Sequence, residues 1–220
     1  MRLPNRTRWI GWAVAACLAL TVGTGSAPLW AVEPLPIGGD FPAAAAALEL
    51  TNTDGEAVRL GDLWKPQGLL VVFTSNSCPY SMDWRDRLPR LGKLGDELEI
   101  GLAVVNSNAR KRRAADSLEA MKTQREEHFP TVAYHVDVES RLADLLGAAR
   151  TPEVFLFDGD KKLVYHGQID DVSGPIEKVE RHFLRDAMQG LALGEAIPEA
   201  TAPLGCAILR PRKRRPKPGS

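Results

Sequence analysis

The chain has 220 residues, 44% of them hydrophobic and 25% charged, enough to bury the core of one well-formed domain. Its 28 basic and 28 acidic side chains cancel only because of the ends: residues 1–31 and 210–220 hold basic residues and no acids. Residues 32–209 therefore carry a formal charge of −9, which argues against nucleic acid as a partner.

Arg2, Arg6 and Arg8 precede an uncharged, mostly apolar run from Trp9 to Val22, and a more polar stretch ends at Leu29-Trp30-Ala31. That is the layout of a secretory signal peptide over residues 1–31, cleaved after Ala31, which predicts an exported, periplasmic or cell-envelope protein. The apolar run has 14 residues, short of the ~18 expected of a spanning helix, so an uncleaved anchor is the weaker reading. Val14-Ala15-Ala16-Cys17 resembles a bacterial lipobox, although the apolar run continues past Cys17. Once the leader is removed, Cys78 and Cys206 are left in an oxidising compartment, where two cysteines read as a disulfide or a redox couple.

A Pro-, Gly- and Ala-rich segment, Pro34–Ala47, leads into the domain. Leu48–Leu60 reads as two short strands around a turn at Asp54-Gly55. The continuous apolar run Leu69–Phe73 predicts a strand buried on both faces. A polar turn, Ser75-Asn76-Ser77, then brings Cys78-Pro79-Tyr80-Ser81 to the start of a helix whose core stripe is Trp84, Leu88 and Leu91, kinked at Pro89. Proline suits a first helical turn, and a thiol at that corner feels the positive end of the helix dipole, which favours the reactive thiolate. Ser75, Asn76 and Ser77 are read as helix caps or as hydrogen-bond donors to that thiolate.

Ile100–Val105 predicts a second buried strand. The charged stretch 109–128 predicts a mostly solvated helix with Ala114, Leu118 and Met121 on its inner stripe. Val132–Asp137 predicts a short strand, Ser140–Leu146 a helix, and Val154–Phe157 with Leu163–His166 a hairpin around Asp158-Gly159-Asp160. A closing helix after Pro175 carries Ile176, Val179, Phe183, Ala187 and Leu191 on one face. Asp170-Asp171 reads as a solvated turn. The element order implies an α/β fold: a central mixed sheet, parallel connections first and an antiparallel hairpin last, with helices on both faces. Residues 210–220 are basic and Pro-interleaved, which predicts a disordered tail whose attraction to an anionic membrane surface is worth about 1 kcal/mol per basic residue. His128, His135, His166 and His182 lack metal-ligand spacing, and no cofactor is expected.

Several segments, taken in order, resemble the thioredoxin-fold redoxins, specifically the peroxiredoxin-like (AhpC/TSA-related) group. They are Gly55 with Val58 and Leu60; Phe73-Thr74-Ser75-Asn76-Ser77-Cys78-Pro79-Tyr80; Thr151-Pro152-Glu153-Val154-Phe155-Leu156-Phe157-Asp158; Tyr165-His166-Gly167-Gln168-Ile169-Asp170-Asp171; and Gly205-Cys206-Ala207-Ile208. The resemblance implies a three-layer thioredoxin-like domain over 32–209, with Thr151-Pro152 as a cis-proline loop facing Cys78. Such a loop could pair with an extended, thiol-bearing chain by strand addition. It also implies a thiol- or disulfide-bearing protein or small-molecule substrate and a separate electron donor, with Pro79, Tyr80, Thr151 and Pro152 contacting substrate.

Two departures shape the chemistry. Ser81 stands where thioredoxin-type sites have a second cysteine, so it cannot resolve a mixed disulfide. Val71 and Ser75 stand where the peroxiredoxin pattern Pro-x-x-x-Thr-x-x-Cys has Pro and Thr. Cys78 is therefore expected to be an accessible attacking thiol, with Cys206 as resolver. A static Cys78–Cys206 bridge competes with that reading, because closing so long a loop contributes about 4–5 kcal/mol in the chain-entropy model. The function expected is thiol–disulfide exchange; peroxide reduction through a Cys78 sulfenic acid and non-catalytic binding are the alternatives.

Overall fold

The computed structural model describes residues 33–212. The expected leader with Cys17, and positions 213–220 of the expected basic tail, lie outside the described residues. A four-residue helix, α1 (Ala43–Ala46), precedes the hairpin β1 (Glu49–Asn52) and β2 (Ala57–Arg59). There follow β3 (Gly68–Thr74), α2 (Pro79–Trp84), α3 (Leu88–Glu97), β4 (Ile100–Asn106), α4 (Leu118–His128), β5 (Tyr134–Val136) and α5 (Arg141–Leu146). The chain closes with β6 (Arg150–Thr151), β7 (Glu153–Asp158), β8 (Leu163–Gly167), α6 (Phe183–Leu193) and β9 (Cys206–Ala207).

Seven strands form one mixed sheet in the order β2-β1-β5-β4-β3-β7-β8. The β3–β4 and β4–β5 pairs are parallel; β3–β7 and β7–β8 are antiparallel. This is the expected arrangement, and its cause is legible in β3. All seven of its residues are buried, because alternate side chains enter two different cores. Leu70 and Val72 pack with Leu88 and Leu91 of α3, Met121 of α4 and Leu184 and Met188 of α6. Leu69, Val71 and Phe73 pack on the other face with Ala45 of α1 and Leu142 and Leu146 of α5. Each such leucine contributes roughly 1.5–3 kcal/mol by burial, so the strand that delivers Cys78 is among the most firmly held segments.

Four expectations are corrected. The kink expected at Pro89 falls before it: a single 3-10 turn, Arg85–Arg87, separates α2 from α3 while the backbone stays helical, and Pro89 sits in the first turn of the second helix, where its missing N–H costs nothing. The helix expected over 109–128 begins only at Leu118, capped by the Ser117 hydroxyl, which accepts from Ala120 N at 3.2 Å. Ala114 and Leu118 are exposed, and only Met121 is buried, because Asp116 is drawn fully into the interior and interrupts the helical path. The closing helix begins at Phe183 rather than after Pro175. Residues 180–181 are instead held by Asp171, whose N–H donates to Arg181 O and whose carboxylate accepts from Glu180 N.

Asp170 is the fourth. It is buried rather than solvated, accepting from Trp84 Nε1 and, at 3.0 Å, from Arg87 Nε. The Arg87 guanidinium also donates to the carbonyls of Asp83, Val172 and Gly174, so the buried pair leaves little of its hydrogen-bonding capacity unmet.

Candidate active site

Cys78 lies at the corner the sequence predicts. β3 ends at Thr74, the Ser75–Ser77 turn follows, and Cys78 is the N-cap of α2 with Pro79 in its first turn. The corner is closed by backbone hydrogen bonds, Cys78 N to Ser75 O at 3.4 Å and Met82 N to Cys78 O at 3.0 Å. The expectation of an accessible thiol is corrected: Cys78 is 1% exposed. What buries it is the proline loop and the chain that crosses it.

The Thr151–Pro152 peptide is cis, as the resemblance implied. The Cys78 sulfhydryl donates to Thr151 O at 2.8 Å. On its other side the same residue is paired with β9: Thr151 opposes Cys206 and Arg150 opposes Ala207 in an antiparallel register. An extended, thiol-bearing chain does occupy the proline loop, and it is the protein's own C-terminal segment. Gly205 makes the approach feasible, since a Cβ there would collide with Thr151 O. Both cysteines are free thiols.

The electrostatics separate the two sulfurs. Burial pushes the Cys78 thiol up, but hydrogen bonds from the Thr151 and Cys206 side chains and from the backbone of Ser81 and Cys206 outweigh it and hold the thiol below its ordinary value. The buried Thr151 hydroxyl has no hydrogen-bond partner while Cys78 is a thiol, which leaves it able to turn to the anion. Cys206 moves the opposite way. Burial, its hydrogen bond to Cys78 and the charge of the Cys78 thiolate push it up to about 11, against a smaller pull from Arg150. Of the two sulfurs, Cys78 is thus the favoured anion and Cys206 the one that keeps its proton.

The Ser75–Ser77 turn neither caps α2 nor faces the sulfur. Its partner is Asp116, which is fully buried. Asp116 accepts from Ser75 Oγ at 3.0 Å, Asn76 N at 2.8 Å and Ser77 Oγ at 2.6 Å. It also accepts from Asn106 Nδ2 at 2.7 Å and Asn108 Nδ2 at 3.4 Å. Arg112 closes the cluster, donating to Asp116 O and Asn106 O at 2.8 Å each. On the proline-loop side, the buried Glu153 carboxylate accepts from Ala149 N at 2.8 Å and Arg150 N at 2.7 Å and pairs with His166 Nε2 at 2.6 Å. These two carboxylates shape the segments that hold Cys78 and Thr151, and neither is singled out by sequence reasoning. A signal was present for the first: Asn106-Ser107-Asn108 ends β4 at the same sheet end as Ser75-Asn76-Ser77 after β3, where open α/β sheets build their sites.

Among the expected site residues, Pro152 is buried beside Thr151, and Tyr80 is 36% exposed at the rim, stacked on Trp84 with centroids 6.4 Å apart. Trp84 is a core residue, as expected. Among the described residues, no three His, Cys, Asp or Glu side chains converge as a metal-ligand set.

This geometry predicts distinct pH profiles for alkylation followed by peptide mapping. Cys78 should inflect below the ~8.5 of a free thiol, and Cys206 close to 11. Cys206→Ala removes a donor to the thiolate and should raise the Cys78 inflection, whereas Cys206→Ser keeps a donor and should leave it nearer wild type. A wild-type Cys78 inflecting at or above the free-thiol value contradicts the assignment.

A family model described as the AhpC/TSA family matches residues 42–166. Among solved structures, the chain is similar to an uncharacterized conserved protein from Geobacillus kaustophilus, with 30% identity, a TM-score of 0.70 and coverage of 84% of this chain and 95% of that one. A hypothetical protein from Sinorhizobium meliloti is 27% identical, with a TM-score of 0.73 and coverage of 82% and 98%. The Xanthomonas campestris bacterioferritin comigratory protein, whose structure concerns alkyl peroxide reduction, shares the fold at 16% identity and a TM-score of 0.53, covering 72% and 99%. No curated protein matches the chain. With its seven-stranded mixed sheet, cis-proline loop and matched segment of more than half its length, the chain belongs to the AhpC/TSA family of thioredoxin-fold redoxins, a family of redox enzymes.

Proposed function

We propose that this protein is an exported thiol–disulfide oxidoreductase with a single-cysteine Cys-Pro-Tyr-Ser site, in which Cys78 attacks and Cys206 resolves. The observation that carries the reading is the convergence of both sulfurs on Thr151: one donates to its carbonyl while the other is its strand partner. The Cys78 thiolate attacks one sulfur of a substrate disulfide, forming a mixed disulfide and expelling the other substrate sulfur as a thiolate. That thiolate takes up the Cys206 proton once Cys206 is again beside Cys78. Bonding Cys78 to substrate removes the negative charge that held the Cys206 proton in place, so Cys206 ionises more readily once it is needed. Its thiolate attacks the Cys78 sulfur, releases the second substrate thiolate and leaves a Cys78–Cys206 disulfide. A dithiol donor returns the pair to two thiols and is itself oxidised to a disulfide.

Substrates are thiol- or disulfide-bearing proteins or small molecules. Pro79, Tyr80, Thr151 and Pro152 form the contact surface, with Tyr80 at its exposed rim. The leader supports export, with the mature chain beginning at Val32, and the basic end of the chain supports weak attraction to an anionic membrane surface.

The near-complete burial of Cys78 favours a second reading, a small hydroperoxide as oxidant. The thiolate would attack the terminal peroxide oxygen, giving Cys78 sulfenic acid and an alkoxide that is protonated to alcohol. Cys206 would then displace hydroxide, released as water, to form the same disulfide.

Replacing Cys78 by Ser should lower thiol-dependent insulin reduction by at least about a hundredfold. Cys206→Ser should accumulate a mixed disulfide on Cys78 with disulfide substrates. If peroxide consumption depends on Cys78 while insulin reduction does not, the second reading replaces the first; if the Cys78→Ser protein equals wild type in both assays, neither stands. Export predicts that protein isolated from the cell envelope starts at Val32 by intact mass. A chain retaining its leader contradicts that part.

A further inference from the structure

The edge of β6 at Thr151 can pair with one extended chain at a time, and β9 already occupies it. A disulfide-bearing chain can reach Cys78 along that edge only when the segment Gly205–Arg210 lifts away. The strength of that closure lies in identifiable contacts. Arg150 Nη1 donates to Gly205 O at 2.8 Å, Ile208 N donates to Ala149 O at 2.9 Å, and Ile208 is buried in the core. Leu209 is held on both sides: its N–H donates to Asn108 Oδ1 at 2.8 Å, and its carbonyl accepts from Arg110 N at 3.1 Å.

Asn108 is the unusual member of this set. It is 2% exposed, and the Nδ2 of the same amide donates to Ser75 Oγ at 2.6 Å in the turn that delivers Cys78. A single buried side chain thus bonds the segment before the attacking thiol with one end and the segment after the resolving thiol with the other. Its own backbone is fixed by Asn108 N donating to Asn106 Oδ1 at 3.0 Å. We propose that Asn108 is a positioning residue, a latch that holds the C-terminal strand over Cys78 and in register with it. The site then alternates between a closed form, with Cys206 on the nucleophile, and an open form that admits an extended substrate chain at Thr151. Re-pairing of β9 expels the reduced substrate chain as it returns Cys206 to the sulfur. This inference rests on the proposed role of Cys78 but is tested without turnover.

The measurement is the rate at which a maleimide modifies Cys78 in the reduced full chain, read by peptide mapping at the high-pH plateau of the Cys78 profile, where ionisation does not enter. When opening is fast relative to modification, this rate is proportional to the open fraction. Losing one hydrogen bond on the closed side should raise it about tenfold in Asn108→Ala. Leu209→Pro removes the N–H that Asn108 accepts without touching the Ser75 turn, and should raise it similarly. Combining the two should raise it by less than the product of the single effects, because both break the same bond. Urea midpoints of the variants, measured alongside, separate local opening from global unfolding. The latch is overturned if both variants react at the wild-type rate. It is also overturned if only Asn108→Ala reacts faster, or if faster reaction tracks a lowered urea midpoint. None of these outcomes bears on whether Cys78 is required for activity, so failure here and failure of the proposed function are distinguishable.

Discussion

The two faces of Thr151 organise the site. Its carbonyl accepts from the Cys78 sulfur, and its backbone edge is the register partner of Cys206, so a single residue fixes the distance and direction between two thiols 128 positions apart in sequence. Strand pairing across a loop so long carries a closure cost, and the closure is secured by contacts distributed along the strap rather than by the cysteines themselves. Arg210 illustrates this. Expected as the first residue of a disordered tail, it instead pairs with Asp144 and donates to Ala148 O at 2.6 Å, so the ordered domain extends at least that far.

The site's chemistry follows from putting two similar groups in unequal surroundings. A thiolate that receives donors from side chains and backbone is favoured over its thiol, and the neighbouring thiol that supplies one of those donors becomes harder to ionise. The order of events is then set by charge rather than by exposure. Cys78 is the more buried of the two and still the better anion, because the donors within reach of its sulfur outweigh the cost of burial. Its supports are buried carboxylates, Asp116 held by N–H and O–H groups and Glu153 by two backbone N–H groups and His166. A buried carboxylate is costly unless paired or hydrogen-bonded, and here that requirement forces the Ser75–Ser77 turn and the 149–150 segment into fixed shapes. Losing Asp116 would therefore leave several buried donors unmet at once and loosen the turn that delivers Cys78.

What the sequence made legible follows from the range of each interaction. Strands buried on both faces announce themselves as continuous apolar runs, and β3, β4 and β7 lie where those runs are. The Cys-Pro corner is a local motif and appears where expected. Helix extents after charged segments were less legible: the composition of 109–128 is helical throughout, but Asp116 answers to groups some 40 positions upstream, and that demand outweighs local propensity. Asp170 was misread for the same reason, as its partners Trp84 and Arg87 lie more than 80 positions away. Cys206 was legible as chemistry and as a partner for Cys78. That its strand would also cover the thiol, turning an expected open site into a closed one, depends on Gly205 and Asn108. Their roles exist only once the chain has folded back.

If Cys78 attacks and Cys206 resolves, the two must form a reversible pair. The most direct measurement equilibrates the wild-type protein across a series of glutathione redox buffers, quenches with acid, alkylates, and reads intact mass and cross-linked peptides. The expected result is a two-electron transition between a dithiol form and a Cys78–Cys206 disulfide, with a defined midpoint approached equally from either side. Two free thiols across the whole range, or a bridge that no buffer reduces, would contradict it.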